Sequence, residues 1–136
     1  RVVIIGGGAS GAEEGIHWAS QGKDVTVIEA LGELAANAPY VHRQSLLLEY
    51  KKEGAPKVFL NTPCTRVTEE GVWAKGQDGQ EILFPADTVL LAVGTEEAEA
   101  FRDCAREFRL IGDCRKPRTV FDANKDGYNV AKGLIR

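Results

Sequence analysis

Little in this chain equips it to cross a membrane, track a nucleic acid or staple itself with sulfur. Its longest uninterrupted apolar run, Val89 to Val93, is five residues long, against the roughly 20 needed to span a bilayer, so no membrane partner is expected. Basic residues give no stripe: seventeen Lys and Arg are scattered among twenty Asp and Glu, for a net charge of -3, which argues against a phosphate-tracking surface and excludes nucleic acid as the expected partner. Three cysteines, Cys64, Cys104 and Cys114, are odd in number and lack any C-x-x-C spacing. They predict neither a disulfide framework nor a zinc site, and fit a reduced, cytoplasmic setting. His17 and His42 stand far apart with no second ligand at metal spacing, so no metal site is expected, and no side chain is put forward as a catalyst. An apolar leader is missing too, and no methionine opens the chain; the sequence reads as a segment cut from a longer protein. There is no internal repeat and no low-complexity tract.

What remains is a balanced globular composition, 43% apolar and 27% charged over 136 residues, enough to bury a core of ordinary domain size. Val2 to Ile5 is a continuous β-branched run bounded by glycine, the pattern of a strand covered on both faces in a parallel sheet. From Ala9 to Gln21 the positions Ala12, Ile16 and Ala19 recur at helical spacing, and Gly22 supplies a stop. "DVTVIE", Asp24 to Glu29, is a second strand. A second helix is predicted where Val41, Ser45 and Leu48 share a face widened by Leu47, ending at Gly54, and "KVFL", Lys57 to Leu60, is a third strand.

The rhythm then changes to strands alone. "CTRVTEE", "GVWAK" and "QEILF" are separated by turn residues and predict a small antiparallel meander. "ADTVLLAVG", Ala86 to Gly94, returns as a buried strand. Residues Glu96 to Arg106 are charged and helix-prone, "REFRLIGD", Arg106 to Asp113, reads as a strand, and Thr119 to Ile135 places Val120, Ala123, Gly127, Ala131 and Leu134 on one helical face. The expected fold is α/β and Rossmann-like, three-layered, with a central parallel sheet, helices and a small antiparallel meander.

Gly6-Gly7-Gly8-Ala9-Ser10-Gly11 matches G-x-G-x-x-G. Gly6 suits the tight strand-to-helix turn, Gly8 the close approach of a pyrophosphate to the backbone, and Gly11 close packing of helix on strand. Free amides and the helix dipole at this end attract phosphate, and Ser10 adds a hydroxyl. A glycine-rich turn can equally be a plain structural corner. Context favours the ligand: a strand before, a helix after, and an acidic residue, Glu29, at the end of the next strand, near the spacing of about 20 residues. A carboxylate there accepts from a ribose diol and repels an extra phosphate, favouring NAD over NADP; the plain alternative is a surface Glu capping a strand.

Together "VVIIGGGASGAEEGIHWASQGKDVTVIEA", "PADTVLLAVG" and "FRLIGDCRKPRTVFDANKDGYNVAKGLI" resemble the C-terminal NAD(H)-binding region of the NADH:flavin oxidoreductases related to 2-enoate reductase, 2,4-dienoyl-CoA reductase and trimethylamine dehydrogenase. The resemblance covers nearly the whole chain. It implies a glutathione-reductase-like arrangement in which residues 1–100 are an NAD(H)-binding domain and residues 101–136 a strand and helix returning to an FAD-type domain. FAD, FMN, an iron-sulfur cluster, a flavin domain and a TIM barrel are implied for the parent protein only. Carried over by position, Gly6, Gly8, Ala9, Ser10 and Gly11 fall on the pyrophosphate loop, Glu29 on the ribose acid, Gly94 on a strand-end glycine lining the dinucleotide, and Gly112 and Asp113 on a pair that touches flavin. Glu13 matches a helix glutamate near the nicotinamide, with an ordinary solvated carboxylate as its alternative. Ala9 departs from the aromatic gate of related disulfide reductases.

The implied activity is an NADH-binding module of a flavin-dependent, enoate-reductase-like oxidoreductase, inactive as an isolated chain. The competing reading is a degenerate nucleotide-binding domain, holding ADP or serving structure, without hydride transfer; a complete small FAD enzyme is disfavoured by the single fingerprint.

Overall fold

The computed structural model describes residues 1–97 and 108–134. Its order is β1 (Val2–Ile5), α1 (Ala9–Ser20), β2 (Val25–Ile28), α2 (Tyr40–Glu49), β3 (Lys57–Phe59), β4 (Cys64–Thr68), β5 (Gly71–Lys75), β6 (Glu81–Pro85), β7 (Thr88–Leu91) and α3 (Val120–Leu134), with a 3-10 turn at Gly112–Cys114. The chain divides into two compact units, Arg1–Val93 and Gly94–Arg136.

In the first unit β3, β2, β1 and β7 form one parallel sheet in that order, and β4, β5 and β6 an antiparallel one. β1 lies between two parallel neighbours and is buried along its whole length, which is why its four residues are all β-branched instead of alternating with polar ones. Successive side chains still point to opposite faces. Val2 and Ile4 join Val25, Val27, Ala12, Leu34, Ala35 and Leu46 in a core beneath the helices. Val3 and Ile5 join Ile28, Val72, Ala74 and Phe84 in a second core against the meander. Helices, parallel sheet and meander are thus the three layers expected.

α1 seats Gly11, Ala12 and Gly15 on the sheet, with Ile16 and Ala19 packed at the margin, as its spacing predicts. α2 does not turn its predicted face inward. Val41 is 79% and Leu48 60% exposed, while Leu46 is buried and Leu47 and Tyr50 pack beside it. In a run of three leucines periodicity alone cannot choose the face, and the choice falls to the register that lets the Tyr50 hydroxyl donate to the Ala12 carbonyl at 3.0 Å.

In the second unit the expected strand Arg106 to Asp113 lies partly outside the described residues; 108–111 joins no ladder, Ile111 is extended and Gly112–Cys114 forms the 3-10 turn. A strand exists only with a hydrogen-bonding neighbour, and the described part of this unit offers none. Most of the charged segment Glu96 to Arg106 also falls outside. α3 begins with Thr119 and Asp122 in reciprocal capping: the Asp122 amide donates to Thr119 Oγ1 at 3.3 Å and the Thr119 amide to Asp122 Oδ2 at 3.2 Å. Ala123 and Gly127 of its predicted face are half-buried, whereas Val120 is exposed. Among the described residues no helix is long and apolar enough to cross a membrane.

Candidate functional site

Between Ile5 and Ala9 the chain must reverse within three residues. Gly6 does so with φ 101°, and a Cβ there would fall on the carbonyl oxygen of Ala92 in the segment leaving β7. A Cβ on Gly11 would fall on the carbonyl oxygen of Gly6 and stand 3.1 Å from the Ala92 methyl. Both positions are therefore demanded by packing, before any ligand is considered. Gly8 is different. Its backbone is ordinary, φ -62° and ψ -176°, and its Cβ direction meets only the Asn37 carboxamide, 3.3 Å from Oδ1.

The amides of this loop divide into used and unused donors. Gly6 donates to the Ile28 carbonyl at 2.9 Å, Gly7 to Glu29 Oε2 at 2.6 Å, and Ala9 to Asn37 Oδ1 at 2.7 Å. Among the described residues the amides of Gly8, Ser10 and Gly11 donate to no protein acceptor. Three donors at the start of a helix whose dipole favours negative charge make an anion cradle. The cradle is less bare than the motif alone suggests, because Gly8 provides no side-chain cap and Asn37 caps α1 from 28 positions away.

Glu29 follows the last residue of β2 and is half-buried. Its Oε2 accepts from Gly7 and its Oε1 from the Leu31 amide at 2.7 Å. The carboxylate thus clamps the end of β2 to the glycine loop, and each oxygen keeps a further lone pair for a ligand hydroxyl. The donor amides and this carboxylate lie on one loop cluster.

The cluster is closed by the segment after Glu29. The Ala35 amide donates to the Gly7 carbonyl at 2.6 Å, Leu34 and Ala35 are buried, and Ala35 holds φ 52°, a left-handed conformation that a non-glycine residue adopts only when its surroundings impose it. That turn delivers Asn37 to Ala9. Nothing local in the sequence marks Asn37, two residues before Pro39, as the cap of a helix that begins 28 residues earlier.

Glu13, on the exposed face of α1, has Oε1 2.7 Å from His42 Nε2 on α2. Gly94, with φ 115°, begins the second unit. There Gly112, φ 57°, donates to Asp126 Oδ2 at 3.3 Å, and Asp113 Oδ1 accepts from the Arg118 amide at 3.3 Å. Arg118 also reaches Asp126 at 2.5 Å, so the basic turn around it is already paired with carboxylates of α3. Among the described residues no three His, Cys, Asp or Glu gather as a metal site would require.

Residues 1–109 match the model of the pyridine nucleotide-disulphide oxidoreductase family. The chain is 30% identical to an NADH oxidase of Thermoanaerobacter brockii over 96% of its own length and 21% of the relative's. It is 29% identical to a cinnamate reductase of Clostridium sporogenes over 98% and 21%. Among solved structures, 2-naphthoyl-CoA reductase superposes with a TM-score of 0.81 at 26% identity, covering 93% of this chain and 20% of that one. The chain thus spans about a fifth of the length of the relatives it matches. Fold, glycine loop and family match agree, and the chain belongs to the pyridine nucleotide-disulphide oxidoreductase family, as its resemblance to the NADH:flavin oxidoreductases of the 2-enoate reductase type implies.

Proposed function

We propose that this chain is the NADH-binding module of a flavin-dependent, enoate-reductase-like oxidoreductase. The observation that carries the reading is the pairing of three unengaged amides, Gly8, Ser10 and Gly11, with a carboxylate held 2.6 Å from the same loop. In this reading the amides bind the diphosphate, and Glu29 orients the adenosine ribose while excluding a 2′-phosphate by charge. When bound, the reduced nicotinamide supplies a hydride for a flavin carried by another part of the parent protein. The chain's own residues bind and orient; none of them holds or moves a proton. Residues 1–100 constitute the dinucleotide domain, and 101–136, with Gly112 and Asp113, return to an FAD-type domain. FMN and an iron-sulfur cluster belong to the parent, and Glu13 lines the nicotinamide side.

Asn37 on the Ala9 amide, which occupies a loop donor, favours a second reading, a degenerate domain that holds ADP or serves structure and passes no hydride. Calorimetric titration of the chain with NADH, NADPH and ADP separates the two. NADH binding at least tenfold more tightly than NADPH and more tightly than ADP is the expected result. Equal or tighter NADPH removes the role given to Glu29, and ADP binding as well as NADH supports the second reading.

A further inference from the structure

We infer that Asn37 is a competing cap on the dinucleotide loop, a positioning residue whose carboxamide holds the Ala9 amide until a diphosphate displaces it. The inference rests on the dinucleotide reading of this loop and adds a residue to it. Three observations meet here. Asn37 Oδ1 accepts from the Ala9 amide at 2.7 Å. The same carboxamide lies along Gly8, with Oδ1 and Nδ2 at 3.3 and 3.5 Å from where a Cβ would stand, so it covers the backbone that a pyrophosphate must approach. Asn37 itself is exposed, so the side chain swings into water without leaving a buried group unsatisfied.

The backbone that presents it is held from beneath. Ala35, buried and at φ 52°, bonds to the Gly7 carbonyl, so the turn stays in place while the carboxamide rotates away. The closed cap is neutral, whereas a phosphate oxygen on the same amide makes a charge-assisted bond. Ligand therefore wins the exchange, at an apparent affinity reduced by the fraction of molecules with the cap open. The effect belongs to association, since opening precedes binding and plays no part once the ligand is seated.

The test uses the 136-residue chain with NADH as probe, its fluorescence followed at equilibrium and by stopped flow. Asn37→Ala is expected to tighten NADH about fivefold through faster association with an unchanged dissociation rate, while the ligand-free Tm falls by a few degrees. Asn37→Asp, which keeps an acceptor on the Ala9 amide and adds charge against the diphosphate, is expected to weaken NADH about tenfold or more without lowering that Tm; it serves even if the alanine variant does not fold. Unchanged or weaker binding by Asn37→Ala overturns the inference and makes Asn37 a bystander or a direct ligand contact. So does wild-type-like binding by Asn37→Asp. If the unmodified chain binds no NADH, the dinucleotide reading itself falls and takes this one with it.

Discussion

The two compact units are built by different forces. In Arg1–Val93 the glycine loop is placed by exclusion: a Cβ on Gly6 or Gly11 collides with a backbone carbonyl, and the strands between are buried on both faces. In the described part of Gly94–Arg136 the contacts are directional and wet. Thr119 caps Asp122, and Arg118 pairs with Asp126, while Val120, Phe121 and Tyr128 remain exposed. Packing against backbone tolerates almost no change, whereas exposed polar contacts are individually weak and forgiving. The position demanding the most precision, the end of β1 from which a ligand would be held, sits in the first kind of environment.

The sharpest way to break this contrast is a pair of glycine-to-alanine substitutions. Gly11→Ala is expected to cost about 3 kcal/mol or more, because the new methyl meets the Gly6 carbonyl and neither backbone can yield. Gly133→Ala, in α3 with nothing within 4 Å of its Cβ direction, is expected to be neutral or to stabilise by up to about 0.5 kcal/mol through helix propensity. Denaturant unfolding of both variants checks the pair, and equal costs would abolish the distinction.

Glu29→Ala comes next in size. It strands the Gly7 and Leu31 amides beside a half-buried position, for an expected loss of about 1–2 kcal/mol. Urea titration should show it without ligand, and calorimetry should show the accompanying loss of NADH over NADPH preference.

The smallest expected effect is on pH dependence in the second unit. Hydrogen bonds from Thr119, side chain first and then backbone, hold the Asp122 carboxyl below its ordinary range. A lowered folded-state value means that unfolded chains take up the proton first as pH falls. The cap's contribution is therefore whole above the ordinary aspartate range and is lost as pH drops through the depressed value. Thr119→Ala should be slightly less stable at neutral pH and should lose less between pH 5 and 3 than the unsubstituted chain. Parallel acid limbs for the two proteins would remove the Thr119 bonds as the cause.

Much of the first unit was legible because its signals are local. Four β-branched residues before a glycine run, helical spacing at Ala12, Ile16 and Ala19, and an acid at the end of β2 each reflect forces acting within a turn or two of chain. The α2 face was not legible, because Leu46, Leu47 and Leu48 are chemically alike and only the partner surface selects among them. The strand expected before Gly112 is absent among the described residues for a related reason: β propensity at Phe108 to Ile111 is real, but a ladder requires a neighbour.

By itself the sequence determined the β-α-β order, the glycine turn and the carboxylate that closes on it, since each depends on φ/ψ freedom, periodicity or residue type at short spacing. Only the tertiary structure decided that Ala92 lies over Gly6, that Ala35 is driven left-handed beneath Gly7, and that Asn37 arrives at Ala9. Those contacts join residues 28 to 86 positions apart, and at such separations the outcome is set by how layers pack rather than by any preference of the residues that meet.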